Sequence, residues 1–324
     1  MAEGMGNQRQ AIAVDLGGTN LRAAVLSADG TLAHRMSAPT EAKQGADAVV
    51  ARIGALVNRI AEEAQLDRAV PVGAAAPGPL NPKTGIVHFT PNLPGWRDFP
   101  LRDRLVELTG RSVEIDNDAN CAALGEARYG SARDVDHMIY LGIGTGMGGG
   151  VVVDGKLVEG ALGLGGELGH VTVAMDGPRC TCGSIGCLEA FAAGWAIAYE
   201  ANLVAQTSDG AALRNAAGAG PITATDVAAA ADGGDPAATA ILDRAGTALG
   251  AAIGVFINIF NPDMVVIGGG LMSLGDHLLD PARRAIPRHS FRAQREHARL
   301  VLAALGDDSG LFGAGAIALD RGNE

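Results

Sequence analysis

The first forty residues alternate between apolar segments and turn residues, and this pattern predicts three short strands. The apolar segments are 11–15, 21–26 and 31–36. A glycine-rich bend separates the first two segments, and an Asp-Gly pair at 29–30 separates the second from the third. Such short connections predict an antiparallel meander.

A helix and a further strand are predicted after the meander. Apolar residues recur at helical spacing between Val49 and Ile60, and the apolar segment 69–76 stops at Pro77. Alternation of this kind is typical of an α/β domain.

The middle of the chain repeats the opening pattern. The predicted strand 137–143 runs into a second glycine-rich segment, and the strand 151–153 pairs through Asp154-Gly155 with residues 156–158. A last strand is predicted at 264–267, and the closing residues 313–319 are expected to be helical. Two similar strand-glycine-strand units predict two similar domains.

Composition and charge limit the class of protein. The chain has 324 residues, 48% of them hydrophobic, which is enough for two domains with separate cores. The longest apolar run, 249–260, contains Asn258 and is shorter than the roughly 20 residues of a membrane span, so it predicts a buried helix. The first ten residues lack the apolar core of a signal peptide. We therefore expect a soluble, cytoplasmic protein without a membrane partner.

The net charge of −11 argues against a nucleic-acid-binding surface, because phosphate backbones are held chiefly by clustered Lys and Arg. An anionic substrate would instead need capture by backbone amides.

Three of the four cysteines lie in one short segment that predicts a zinc site. Cys180, Cys182 and Cys187 provide three thiols, and His170 provides a fourth ligand. Gly183 and the glycine at 186 supply turns that let the sulfurs converge. Because four protein ligands leave no position for water, we expect the zinc to be structural.

Two alternatives to this zinc site are weaker. Three unrelated reduced cysteines would not need to cluster, and a disulfide framework would require an oxidising compartment. The fourth cysteine, Cys121, is expected to be a small buried helix residue.

Two glycine-rich loops are candidates for phosphate binding. In the first meander, Asp15 ends a strand and is followed by Leu16, Gly17, Gly18, Thr19 and Asn20. Glycines in such a turn allow backbone amides to converge on an anion, and Asp15 could orient Mg²⁺ through water. An ordinary Gly-Gly hairpin is the alternative interpretation. The second loop, with Thr145 and Gly146, lies in the equivalent turn of the second unit and favours a polyphosphate ligand.

The second loop also resembles other nucleotide motifs, but its context excludes them. The glycines from 144 to 149 match G-x-G-x-x-G, yet a strand follows them and not the helix of a dinucleotide fold. No P-loop motif occurs in the sequence. Gly269 and Gly270 end another strand, where a flat adenine or ribose could approach the backbone, although a plain helix-entry turn is equally compatible.

A candidate base lies at the start of a predicted helix. The strand 113–115 leads through Asp116, Asn117 and Asp118 into an alanine-rich helix at 121–128. One of these three residues is expected to cap the helix. The helix dipole would keep a neighbouring carboxylate ionised, as a base that accepts a hydroxyl proton must be.

These motifs, taken in order, resemble the ROK family of sugar kinases. The resemblance covers nearly the whole chain. It includes the segments 15–20, 77–79, 92–96, 116–120, 144–150, 166–170, 180–189 and 268–270. The cysteine segment followed by Leu188 and Glu189 is the most specific of these matches.

The resemblance implies an α/β fold with two actin-like, RNase H-like domains and an inter-domain active-site cleft. We expect a smaller α/β domain of residues 1–117 plus 311–324 and a larger one of residues 118–310 that carries the zinc-binding loop.

The resemblance also implies a role for each site residue. Asp118 would be the general base that accepts the proton of the sugar 6-hydroxyl, and the glycine loops would bind ATP with Mg²⁺. His170 would give one ring nitrogen to zinc and the other to the sugar. The residues expected at the sugar are Gly78, Asn92, Asn117, Asp118, Glu167, His170 and Glu189.

One position departs from the family pattern. Leu168 stands where the family usually has a tryptophan-like residue, and we expect this change to affect packing more than chemistry. Trp96 could stack on a sugar, although packing in its Leu-Pro-Gly loop is favoured.

The expected activity is the ATP-dependent phosphorylation of glucose at the 6-hydroxyl. Another hexose or N-acetylhexosamine, such as fructose, mannose, N-acetylglucosamine or N-acetylmannosamine, is an alternative substrate, and polyphosphate is an alternative donor. A sugar-sensing repressor would require a DNA-binding module before Ala11, for which about ten residues are too few. A non-catalytic zinc-stabilised module would not need Asp118 or the phosphate loops. The family resemblance further implies a dimer or a tetramer.

Overall fold

The structure is a computed structural model that describes residues 9–90 and 93–321. The described strands form two five-stranded sheets and one three-stranded sheet. The strands are β1 (Gln10–Leu16), β2 (Asn20–Ser27), β3 (Leu32–Pro39), β4 (Val72–Ala76), β5 (Leu80–Asn81), β6 (Ile86–Phe89), β7 (Arg97–Pro100), β8 (Val113–Asn117), β9 (Met138–Ile143), β10 (Met147–Val153), β11 (Lys156–Leu157), β12 (Met264–Gly268) and β13 (Arg299–Leu302).

The α-helices connect and cover these sheets. They are α1 (Ala46–Glu63), α2 (Leu101–Thr109), α3 (Asp118–Tyr129), α4 (Glu189–Ala192), α5 (Gly194–Val204), α6 (Ala211–Ala217), α7 (Ala224–Asp232), α8 (Pro236–Phe260), α9 (Asp276–His289), α10 (Arg292–His297) and α11 (Ser309–Arg321). Short 3-10 turns occur at Ala42–Gln44, Leu168–His170, Ser208–Gly210, Gly270–Leu274 and Gly306–Asp308.

The chain forms two compact units. Unit 1 contains Met1–Asp134, Gly150–Gly166 and Ala304–Glu324, and unit 2 contains Val135–Gly149 and Glu167–Ala303.

The expected domains were 1–117 plus 311–324 and 118–310, and unit 1 additionally contains residues 118–134, 150–166 and 304–310. Within unit 1, α3 packs closely against α11. A Cβ atom on Gly313 would lie 1.7 Å from the backbone oxygen of Cys121, so the two helix backbones are in direct contact.

The first sheet begins with the predicted meander. Its strand order is β3-β2-β1-β4-β8, with β1 antiparallel to β2 and parallel to β4. The strand β4 also pairs in parallel with β8. Apolar side chains of α1, including Val49, Ile53 and Ile60, are buried in the core with Ile12 and Val14 of β1. The helical spacing read from the sequence therefore marks the buried face of α1.

The second sheet has the order β11-β10-β9-β12-β13. The strand β12 is parallel to both β9 and β13, and β10 is antiparallel to β11. In each five-stranded sheet, three strands that are consecutive in the chain (β1–β3 or β9–β11) lie beside two strands that pair in parallel (β4 and β8, or β12 and β13). This shared arrangement agrees with the two similar strand-glycine-strand units seen in the sequence.

The helix α8 is a capped helix of 25 residues. Its cap, Asp235, accepts the amide hydrogen of Ala238 at 2.7 Å, and Asn261 ends the helix with a φ of 44°. By length and composition this helix is apolar enough to cross a membrane, but 61% of its most apolar window is buried within the protein. Buried core helices have the same properties, so this feature is weak evidence for a membrane span.

The three-stranded sheet β5-β6-β7 has no counterpart among the sequence-based predictions. Near it, Trp96 is 2% exposed and its ring centroid lies 5.0 Å from that of Phe99. Packing is thus the observed role of Trp96. Cys121 is fully buried in a core cluster on α3, also as predicted.

Candidate active site

The first glycine loop connects β1 to β2 in a tight turn. The amide of Gly17 donates a hydrogen bond to the backbone oxygen of Asn20 at 3.1 Å, and a Cβ on Gly17 would lie 2.8 Å from that oxygen. The hydroxyl of Thr40 donates to the carbonyl of Gly17 at 2.7 Å. Gly18, Thr19 and Asn20 are exposed. The turn is therefore anchored at its base, with exposed backbone at its tip.

Asp15 stands at the base of this loop and is paired with Arg22. Its Oδ2 atom accepts a hydrogen bond from Nε of Arg22 at 3.1 Å. Arg22 also donates to the backbone oxygen of Asp307 at 2.6 Å. Burial raises the pKa of the Asp15 carboxyl, and Arg22 opposes this effect. Because Arg22 uses Oδ2, the other carboxylate oxygen remains compatible with the proposed water-mediated contact to Mg²⁺.

Asn117 is the residue that caps α3. Its Oδ1 atom accepts the amide hydrogens of Ala119 at 2.9 Å and Asn120 at 3.3 Å, while its Nδ2 atom donates to the carbonyl of Gly78 at 3.3 Å. The next residue, Asp118, is exposed in the first turn of the helix, and its Oδ1 atom accepts the amide hydrogen of Ala119 at 2.8 Å. Capping by Asn117 thus leaves Asp118 at the surface of a helix N-terminus.

Asp116 has a different environment from its neighbours. It is fully buried and accepts a hydrogen bond from Nδ2 of Asn120 at 3.0 Å. Burial raises the pKa of its carboxyl, an effect that Asn120 and Arg321 oppose. Asp116 therefore supports the start of α3, and Asp118 is the exposed carboxylate of the pair.

The remaining predicted sugar residues of unit 1 are Gly78 and Asn92. Gly78 has a φ of +87°, and a Cβ there would lie 2.2 Å from the backbone oxygen of Phe89, so this position requires glycine. Asn92 lies outside the described residues. The strands β1, β4 and β8 run parallel, so Asp15 near the end of β1 and Gly78 and Asp118 after β4 and β8 lie at the same edge of one sheet.

Sequence reasoning missed the buried carboxylate of Glu126 at the end of α3. Its oxygens accept hydrogen bonds from the amides of Ala304 and Leu305 at 3.1 and 2.9 Å. The hydroxyls of Ser131 and Ser309 donate to it at 3.0 Å each. Glu126 thus holds the segment that leads into α11. A carboxylate among the small and apolar residues 121–127 was the only signal of this role.

The predicted zinc ligands of unit 2 converge. The ligand atoms of His170, Cys180, Cys182 and Cys187 all lie within 4.8 Å of one another. The Sγ atom of Cys180 is 3.6 Å from Nδ1 of His170, and the other two sulfurs are 3.7 Å apart. Ligands of tetrahedral zinc are separated by roughly 3.5 to 3.8 Å, given the usual zinc–sulfur and zinc–nitrogen bond lengths. The four residues therefore fit a zinc ion.

The backbone of the cysteine loop has the turns that the sequence predicted. Gly183 has a φ of +96° and Gly186 a φ of +73°. A Cβ on Gly186 would lie 1.7 Å from the carbonyl oxygen of Ala174, so the neighbouring chain packs directly on this glycine. The amide of Cys180 donates to the carbonyl of Ser184 at 2.8 Å and closes the loop.

The second nitrogen of His170 faces a carboxylate. Its Nε2 atom lies 4.0 Å from Oε2 of Glu167, whereas its Nδ1 atom is the nitrogen near Sγ of Cys180. Burial raises the pKa of the Glu167 carboxyl, and His170 counteracts this rise. Leu168 between them is 6% exposed, which agrees with a packing role. The orientation allows His170 to bind zinc with one nitrogen and a second partner with the other.

Glu189 is 7% exposed and joins two loops of unit 2. Its Oε2 atom accepts the amide hydrogen of Met147 at 2.9 Å, directly after the second glycine loop. Its Oε1 atom accepts the hydroxyl of Thr181 at 3.1 Å and lies 3.6 Å from Sγ of Cys180. The sequence suggested a rigidly held carboxylate here but gave no sign of the contact with Met147.

The second glycine loop is held by the start of α5, where the amide of Gly194 donates to the carbonyl of Gly144 at 2.9 Å. The amide of Gly144 donates to the carbonyl of Gly146 at 2.9 Å. Thr145 at the tip is exposed. Gly269, with a φ of +90°, packs on the adjoining strand end, where its Cβ would lie 2.4 Å from the carbonyl oxygen of Ile143. Gly269 therefore lies next to the strand end that leads into the second loop.

The two sheets with their glycine loops define the two-domain, actin-like fold of sugar kinases. The chain belongs to the ROK family, whose model matches residues 11–321.

Individual relatives agree with this assignment. The chain is 37% identical over 319 residues to a glucokinase of Thermotoga maritima, covering 96% of this chain and 97% of that protein. A ROK hexokinase structure from Thermus thermophilus has a TM-score of 0.81 and 34% identity, covering 96% and 99% of the two chains. A ROK glucokinase from Streptomyces griseus, solved with glucose and AMPPNP, has a TM-score of 0.79 and 33% identity, covering 95% and 98%.

Relatives with other names are also similar. An N-acetylmannosamine kinase of Escherichia fergusonii is 32% identical and matches 95% of this chain and 97% of its own length. A xylose repressor of Caldicellulosiruptor bescii is 32% identical over 76% of this chain, but the match spans 62% of the repressor.

Proposed function

We propose that the protein is an ATP-dependent kinase that transfers the γ-phosphoryl group of ATP to the 6-hydroxyl of glucose. The observation that carries this proposal is the position of Asp118. A general base must be ionised and accessible, and Asp118 is an exposed carboxylate at a helix N-terminus whose capping role is filled by Asn117. The near-full-length similarity to glucokinases supports the choice of donor and sugar.

The chain's own residues suggest how the reaction proceeds. Asp118 accepts the proton of the attacking hydroxyl, and the glycine loops bind the phosphates through backbone amides. Positioning and charge neutralisation account for most of the catalysis of phosphoryl transfer, and bound Mg²⁺ supplies positive charge at the phosphates. Asp15 is the residue that would orient this ion.

Sugar recognition is assigned to carboxylates, amides and one imidazole. The proposed contacts are Gly78, Asn92, Asn117, Asp118, Glu167, His170 and Glu189. Such groups accept and donate several hydrogen bonds, so a sugar that lacks a hydroxyl leaves a buried partner unpaired. Zinc bound by the four-ligand cluster would supply a fixed tautomer and orientation for His170.

Other ROK functions remain as alternatives to be tested. The similarity to an N-acetylmannosamine kinase makes N-acetylhexosamines the main competing substrates, followed by mannose and fructose. A non-catalytic sugar sensor is suggested by the similarity to a repressor. The proposal also includes a cytoplasmic location and a homo-oligomer, a dimer or a tetramer, as in the resemblance drawn from the sequence.

The test is ADP release with Mg-ATP and a panel of sugars. The panel contains glucose, mannose, fructose, N-acetylglucosamine and N-acetylmannosamine, with polyphosphate as a second donor. We expect the highest kcat/KM with glucose and ATP. Higher kcat/KM on another sugar would replace the substrate and keep the kinase. No turnover with any donor, together with measurable sugar binding, would support the sensor.

A further inference from the structure

Two contacts join the cysteine loop to the second glycine loop, and both lie within unit 2. The first passes through Glu189. One of its oxygens accepts a hydrogen bond from the hydroxyl of Thr181, the residue between Cys180 and Cys182 in the sequence, at 3.1 Å. Its other oxygen accepts the amide of Met147 at 2.9 Å. A Cβ on Gly146 would lie 3.1 Å from the same oxygen, so the loop packs closely on this carboxylate.

The second contact passes through the start of α5. The amides of Gly194 and Trp195 donate to the carbonyls of Gly144 and Thr145 at 2.9 and 3.1 Å. The side chain of Trp195 packs against the buried cluster of Cys180, Cys187 and Ala190. One residue, Trp195, therefore touches the cysteine cluster with its ring and the glycine loop with its backbone.

These hydrogen bonds fix the direction of the loop's amides. In a trans peptide the carbonyl and the following N–H point in opposite directions. Because the carbonyls of Gly144 and Thr145 point to α5, the amide hydrogens of Thr145 and Gly146 point away from it. Two successive amides directed to one side are the arrangement that binds a phosphate oxygen.

We infer that Thr181 and Trp195 are positioning residues for the nucleotide. Through them, the presence or absence of zinc in the cysteine loop sets the geometry of the loop 144–146. Zinc occupancy then controls nucleotide affinity as well as sugar binding. This inference rests on the proposed function, because it assumes that the loop binds the phosphates of ATP. It assigns the cysteine loop a role in binding ATP, the phosphoryl donor, in addition to its role in orienting His170.

The direct test compares Thr181→Val with Thr247→Val, an isosteric change at an exposed threonine of α8. The affinity for a non-hydrolysable ATP analogue is measured by calorimetry without sugar, and zinc content is measured in each protein. We expect Thr181→Val to bind the analogue roughly threefold to tenfold more weakly, the effect of one hydrogen bond. Thr247→Val should match the wild type.

A second test decides the case even if Thr181→Val loses its zinc. In a Trp96→Phe background, Trp195 is the remaining tryptophan and reports on the linked loops. Removing zinc with a chelator should change its emission and weaken analogue binding at least threefold, and added zinc should restore both.

The outcomes separate this inference from the proposed function. Unchanged analogue affinity after zinc removal would overturn the inference, and so would equal affinity of a zinc-loaded Thr181→Val and Thr247→Val. If the wild type does not bind the analogue at all, the proposed function fails, and this inference fails with it.

Discussion

The Nδ1 atom of His170 lies 3.6 Å from the Sγ atom of Cys180. This contact directs one ring nitrogen to the thiol cluster and leaves the other, Nε2, on the side of Glu167. A metal ligand whose second nitrogen meets another polar group is held in one tautomer and one orientation. The cysteine loop therefore has a direct structural connection to the proposed sugar site.

We predict one zinc ion per chain, measured by inductively coupled plasma mass spectrometry. Cys187→Ser should lose the zinc, because Cys187 provides one of four converging ligands. The matched control is Cys121→Ala, a change of the cysteine that is buried in a separate core cluster on α3. Zinc retained in Cys187→Ser, or lost in Cys121→Ala, would contradict the assigned ligand set.

Zinc affinity should rise with pH, because the thiols must lose their protons to bind the ion. In the metal-free protein, burial raises the pKa of Cys180 and raises that of Cys187 to about 12. Burial also opposes the ionisation of Cys182, but hydrogen bonds from Ser184 and the other thiols lower its pKa to about 7. Above neutral pH, zinc binding should release about two protons.

The check on this prediction is a competition titration with a chromophoric chelator between pH 7.5 and 8.5. The logarithm of the zinc affinity should increase by about two per pH unit over this range. An affinity independent of pH would show that the thiols are already ionised or do not bind the metal.

Glu126→Gln should destabilise unit 1 strongly. Glu126 is fully buried, and its carboxylate accepts hydrogen bonds from the Ala304 and Leu305 amides and from two serine hydroxyls. Glutamine places an NH₂ group against these donors, so we expect the free energy of unfolding to fall by about 3 kcal/mol. Urea denaturation measures the change. Glu63→Gln, at a half-exposed end of α1, is the control and should have little effect.

Gly73→Ala should also destabilise the protein, for a steric reason. A Cβ on Gly73 would lie 1.7 Å from the carbonyl oxygen of Ala314, so β4 and α11 would have to separate. Overpacking of this kind costs about 1 to 3 kcal/mol or more. In Gly220→Ala the nearest atom lies 3.8 Å away, and no loss from steric overlap is expected. Equal melting temperatures for the two variants would contradict the packing described here.

The sequence allowed the local features of the fold and site to be predicted. The meander, the repeated strand-glycine-strand unit and the position of Asp118 follow from short-range patterns, and the structure agrees with each. The clustering of the four predicted zinc ligands also followed, because three of them lie within eight residues.

Contacts between distant residues were not predictable in this way. The amides that bind Glu126 lie 178 and 179 residues away along the chain, and the contact of Glu189 with Met147 spans 42 residues. No periodicity encodes such pairs, since they depend on how helices and strands pack. The packing of α3 against α11 is a long-range property of the same kind.

The most direct test of the central claim is the formation of glucose 6-phosphate by the wild type and by Asp118→Asn. The product is followed with a dehydrogenase specific for glucose 6-phosphate, and glucose binding is measured separately. Asp134→Asn, a change of an aspartate whose side chain is 87% exposed, is the control. We predict that Asp118→Asn lowers kcat by roughly 100- to 10,000-fold while it still binds glucose, because only proton acceptance is removed. Near-wild-type turnover in Asp118→Asn would show that Asp118 is not the base.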